Sequence, residues 1–148
     1  DALSHFEKDV LAYESDLLVL AFGMNDGGLD PYDYGFAYDT LVRRYRAKYP
    51  KSEVLLVSPM LPNIETDWLM NQGKYAAELL ELEKDYDFVG VADMTEMFEY
   101  LLSAGKRYRD FTGNNINHPN DFIIRLYAQT VLKTLAGDDF CLEKWTAK

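Results

Sequence analysis

Three apolar runs of strand length divide this chain, and helical stretches separate them. The runs are DLLVLAFG (residues 16–23), EVLLVSP (53–59) and DFVGVAD (87–93). The first is apolar almost without alternation, as in a strand covered on both faces of a parallel sheet. Each run then meets a residue that ends a strand: Gly23, Pro59 or Asp93. Between and around them lie segments with helical spacing. Residues 2–14 carry Leu3, Phe6, Val10 and Leu11, and residues 34–48 carry Phe36, Leu41 and Tyr45. Residues 71–85 include YAAELLELEK, a strong helix by propensity. Residues 94–104 form a fourth helix that ends at Gly105. Pro119 suits the first position of a last helix reaching about Ala136, with 137–148 as a tail. Strand and helix in alternation predict a three-layer α/β/α fold, with right-handed crossovers, a parallel sheet and helices on both faces.

That topology also says where chemistry should lie. Ligands of such folds bind beyond the carboxyl ends of the strands. The loops 24–33, 59–70 and 93–94 meet there, and the loop before the last helix can join them.

With 148 residues, 48% of them hydrophobic, the chain suits one domain with a single core. No apolar run approaches the ~20 residues of a membrane-spanning helix, so no membrane partner is expected. The formal charge of −10 opposes nucleic acid and anionic lipid. Arg43, Arg44, Arg46 and Lys48 cluster, but they read as the solvated face of a helix. A single cysteine, Cys141, permits no intrachain disulfide and no zinc set of the Cys-x-x-Cys kind.

Two loops hold candidate groups. His118 stands in TGNNINHPND, directly before a proline. It can cap or pack there, or act as a general base that takes a hydroxyl proton and returns it to a leaving group. Asn25 stands in FGMNDGG. It can be a turn residue, or its side-chain N–H can meet developing negative charge at the end of a strand. Gly23 beside it would let a substrate approach the backbone. FGMNDGG follows a strand and is rich in glycine, but it lacks the Gly-x-Gly-x-x-Gly spacing and the Lys-Ser/Thr of a phosphate-binding loop. Tyr32, Tyr34, Phe36, Tyr38 and Trp68 read first as core or rim packing. Trp68, in an irregular loop at the expected active edge, is the best placed of them to stack on a sugar ring.

LLVLAFGMND resembles the Gly-x-Asn-Asp block of the SGNH hydrolases, also called GDSL-type esterases and lipases. GNNINHPNDF resembles the His-bearing block near their C-terminus, and VLLVSPMLPN the strand and loop between the two. The blocks occur in order and cover nearly all of the chain. The resemblance implies a flavodoxin-like fold and hydrolysis of short acyl esters, acylated carbohydrate among them, through a serine nucleophile. It makes His118 the base, Asn25 the oxyanion-hole amide, Gly23 the family's glycine beside it, and a small-molecule or carbohydrate ester the partner, and it implies no metal or organic cofactor.

Two departures qualify this. The family's Gly-Asp-Ser block is absent, and Ser4, Ser15, Ser52, Ser58 and Ser103 all lie outside such a context. The chain therefore reads as a domain truncated at the N-terminus, without its nucleophile segment and expected to be inactive alone. Its open sheet edge could pair with a second copy as a homo-oligomer. The family's Asp three residues before its His is Asn115 here. Asn115 could orient the ring through its carbonyl, a Ser–His dyad could operate, or Asp110 could fold back as the acid. Asp121 suits the first turn of the last helix instead. A catalytically inactive ligand-binding module on the same fold is the alternative reading.

Overall fold

The computed structural model describes residues 2–137; the tail 138–148, with Cys141, lies outside the described residues. The element order is α1 (Ala2–Asp9), β1 (Leu17–Ala21), α2 (Pro31–Lys48), β2 (Glu53–Val57), α3 (Gln72–Asp85), β3 (Val89–Ala92), α4 (Met94–Ser103) and α5 (Asp121–Ala136). The strands form one parallel sheet in the order β1-β2-β3, with Leu20 beside Leu56 and Leu56 beside Val91. No helix among the described residues is long and apolar enough to cross a membrane.

Consecutive strands are neighbours, so right-handed crossovers put both connecting helices on one face. Accordingly α2 and α3 share a core with Val54 and Leu56, built on Tyr38, Leu41, Tyr45, Tyr75 and Leu79. The alternate residues Leu55 and Val57 point to the opposite face, where Phe98 of α4 and Ile123 of α5 cover them. β2 is thus sealed on both sides. Each of its fully buried aliphatic side chains contributes about 1.5–3 kcal/mol of hydrophobic stabilisation.

β1 departs from the expectation of a strand covered on both faces. Leu20 is buried, but Val19 is 47% exposed and Phe22 44% exposed. α4 and α5 lie over β2 and β3 and reach only Leu17 of β1, an edge strand here, so among the described residues no helix covers Val19 on its second face. β1 is also shorter than the apolar run. Phe22 donates its N–H to the Tyr38 hydroxyl (2.8 Å), and its carbonyl accepts from the Tyr34 hydroxyl (3.1 Å), so tyrosines replace a ladder there.

Three boundaries differ from expectation through local capping. α1 ends at Asp9 and a turn follows, with the N–H groups of Val10 and Leu11 both on the Phe6 carbonyl. α2 begins at Pro31 rather than 34: Asp30 caps it by accepting the Tyr32 N–H (2.9 Å), and proline fits a first position that needs no N–H. α5 starts at Asp121, two residues later than expected. Asn120 is the cap, accepting from the Ile123 N–H (3.2 Å), while Pro119 pairs with Thr112 in an isolated bridge.

Candidate active site at the carboxyl edge of the sheet

Gly23 ends β1 with φ +118°, a conformation that side-chain-bearing residues rarely adopt. A Cβ there would also lie 3.1 Å from the Tyr34 ring and 3.2 Å from Pro59. The kink turns the chain across the sheet edge and leaves Asn25 exposed, with no hydrogen bond to its side chain among the described residues. Gly23→Ala is therefore expected to cost about 1–3 kcal/mol. Urea denaturation checks this, and an unchanged midpoint would contradict it.

Gly23 and Asn25 line one cleft of about 340 Å³, with Ser58, Pro59 and Tyr127 opposite. The loop bearing Asn25 is held from beneath. Tyr34 and Tyr75 stack with ring centroids 4.0 Å apart, and the Tyr75 hydroxyl donates to the carbonyls of Asp26 (2.5 Å) and Leu29 (2.9 Å). Burial raises the pKa of Tyr34, Tyr38 and Tyr75 above the ordinary phenol range, so each keeps its proton for these bonds.

Ser58 ends β2 but is not a free hydroxyl. Its Oγ donates to Asp93 Oδ1 (2.9 Å) and accepts the N–H groups of Met94 (2.8 Å) and Thr95 (3.1 Å). It is 1% exposed and serves as part of the cap of α4, together with Asp93, which accepts the Glu96 N–H. Ser58→Ala leaves buried donors unpaired, so a loss of about 1–3 kcal/mol is expected in chemical denaturation. A stability equal to wild type would contradict this role.

His118 sits in a loop closed by the Thr112–Pro119 bridge and by the Gly113 N–H on the His118 carbonyl (2.9 Å). Asn114 organises its backbone. One side-chain oxygen accepts the N–H groups of Ile116, Asn117 and His118, each at 3.0 Å. Asn63, from the loop after β2, ties this loop down by donating to the Asn115 carbonyl (3.0 Å), while the Asn63 N–H bonds the Ile116 carbonyl (2.8 Å). Asn115 takes φ +56°, which asparagine tolerates better than most residues. His118 is exposed, and among the described residues its ring has no hydrogen bond or ion pair. Asp110 is engaged elsewhere, accepting the Arg107 N–H (2.9 Å), and Asp121 opens α5.

The structure thus groups Gly23 with Asn25 in one cleft. It places His118 and Asn115 together on a neighbouring loop, outside the set that lines the cleft. Sequence reasoning missed Tyr127, which reaches the cleft from α5 and accepts the Met60 N–H (2.9 Å). Burial pushes its phenol up to about 12, so it too remains protonated at neutral pH. A tyrosine on a helix carries no local signal of this placement. Among the described residues no group of three or more His, Cys, Asp or Glu side chains could hold a metal ion.

Residues 1–122 match the GDSL-like lipase/acylhydrolase family. Comparison with curated proteins finds no match. Solved structures of Axe2 from Geobacillus stearothermophilus share the fold. A variant of this acetyl-xylooligosaccharide esterase superposes with a TM-score of 0.75 at 15% identity, covering 93% of this chain and 67% of that one. A catalytic mutant of the same acetylxylan esterase gives 0.73 at 17% identity, covering 91% and 66%. The chain therefore spans about two thirds of the length of these neighbours.

Proposed function

The chain belongs to the GDSL-like lipase/acylhydrolase family, and on that premise we propose that it carries the base and oxyanion half of a carboxylic ester hydrolase. The proposed substrates are short acyl esters, acetylated carbohydrate among them. A serine outside residues 1–148 attacks the ester carbonyl while His118 takes its proton. The Asn25 side-chain N–H stabilises the tetrahedral oxyanion. Collapse expels the alcohol, which receives the proton from His118, and leaves an acyl-serine. Water, deprotonated by His118, then attacks that ester and releases the acid, and the proton returns to serine. Asn115, three residues before His118, orients the base through its loop.

The observation that carries this reading is the Asn25 amide, exposed and unpaired beside the positive-φ Gly23 at the end of a parallel strand. Such a donor needs no rearrangement to meet the oxyanion. The carbohydrate part of the proposal draws on the names of the structural neighbours and on Trp68, which is 46% exposed in the loop after β2. The test is acetate release from acetylated xylo-oligosaccharide, and p-nitrophenol release from p-nitrophenyl acetate, by the whole gene product. Turnover of either ester supports the reading, and turnover of neither overturns it.

A non-catalytic binding module on this fold is the second reading. The commitment of Ser58 to the α4 cap and the unpartnered ring of His118 favour it. Calorimetric binding of an acetylated oligosaccharide without acetate release would select it.

A further inference from the structure

Gln72 bonds both the loop after β1 and the loop after β2 without belonging to either. Its side chain is 1% exposed at the start of α3. The amide has three partners. Its oxygen accepts the Met70 N–H (2.7 Å), and its nitrogen donates to the carbonyls of Trp68 (2.9 Å) and Met24 (3.3 Å). These partners fix which end is oxygen, since Met70 supplies a donor and the two carbonyls are acceptors. A buried amide so engaged is costly to disturb.

The glycine after Asp26 fits the same arrangement. A Cβ on Gly27 would lie 2.3 Å from the Gln72 nitrogen, so the loop backbone rests directly on this amide. The adjacent Asn71 adds two bonds to the same loop, its N–H to the Gly27 carbonyl (3.1 Å) and its side chain to the Leu29 carbonyl (3.1 Å). Met24 immediately precedes Asn25, and Trp68 and Met70 are both strongly exposed on the second loop. One buried amide thus joins the backbone beside the oxyanion donor to the exposed apolar strip 68–70.

We propose that Gln72 is a positioning residue that fixes the Trp68–Met70 strip relative to Asn25, and that this register selects the alcohol part of the ester. The proposal rests on the esterase reading above. When the strip holds the alcohol and Asn25 meets the oxyanion, their separation sets which esters present the carbonyl correctly. A p-nitrophenyl ester has a small, flat alcohol and depends on the strip less than an oligosaccharide does.

Gln72→Met keeps the side-chain length and removes all three hydrogen bonds. In the whole gene product, the expected result is a fall of about 10-fold in the ratio of kcat/KM for acetylated xylo-oligosaccharide over p-nitrophenyl acetate, the scale on which misplacement is felt. A merely structural role lowers the folded fraction, which cancels from that ratio. An unchanged ratio therefore overturns the proposal. Amide hydrogen exchange supplies a readout independent of hydrolysis. Gln72→Met is expected to speed exchange in 24–29 and 66–71 together, with β2 still protected, and faster exchange in one loop alone overturns the coupling. Wild-type protein that turns over neither ester overturns the esterase reading, and the exchange result then decides the coupling by itself.

Discussion

Replacing His118 with alanine is expected to lower kcat for p-nitrophenyl acetate by about 10²–10⁴-fold in the whole gene product, the usual contribution of a positioned general base. The fold should survive the change. The ring is exposed and makes no hydrogen bond among the described residues, while the loop is held by main-chain bonds that alanine keeps: the His118 N–H on Asn114 and the His118 carbonyl on the Gly113 N–H. An unaltered denaturation midpoint beside the lost turnover would separate chemistry from stability. Full turnover in His118→Ala would remove this residue from the mechanism.

Asn25→Ala is expected to reduce kcat by about 10²–10³-fold with little change in KM, because an oxyanion donor acts mainly after the carbonyl becomes tetrahedral. The geometry makes this variant easy to interpret. Asn25 is exposed, its side chain has no partner to leave unpaired, and the loop beneath it is fixed by Tyr75, Gln72 and Asn71. Asn25→Asp retains the shape and replaces the donor with a carboxylate oxygen, so it should be at least as impaired. A rise in KM with kcat preserved in both variants would mean that Asn25 binds the ground state rather than the oxyanion.

The sequence made the central strand and the loop positions readable for definite physical reasons. EVLLVSP is apolar at every step from Val54 to Val57 because Val54 and Leu56 meet α2 and α3 while Leu55 and Val57 meet α4 and α5. The similar run in β1 gave no sign that no helix among the described residues covers Val19, since valine is as apolar when exposed as when covered. The start of α2 was hidden in Asp30-Pro31, a pair that serves a turn as readily as a helix cap. Gly23 and Asn25 were legible because an abrupt change from apolar to polar marks the carboxyl end of a strand. Gln72 and Tyr127 were not, because their partners lie far along the chain: Met24 is 48 residues from Gln72, and Met60 is 67 from Tyr127. Asn63 and Asn114 fall between these cases. Both stand in loops, where asparagine is common, and only the folded chain shows that they join the loop after β2 to the loop bearing His118.

The most direct measurement is the intact mass of the protein after exposure to a fluorophosphonate, which traps a serine made nucleophilic by a neighbouring base. The expected result is one adduct per molecule of the whole gene product, on a serine outside residues 1–148, with none on the 148-residue chain alone. An adduct on Ser58, or no adduct on the whole gene product, would contradict the assignment of His118 and Asn25 to an esterase centre.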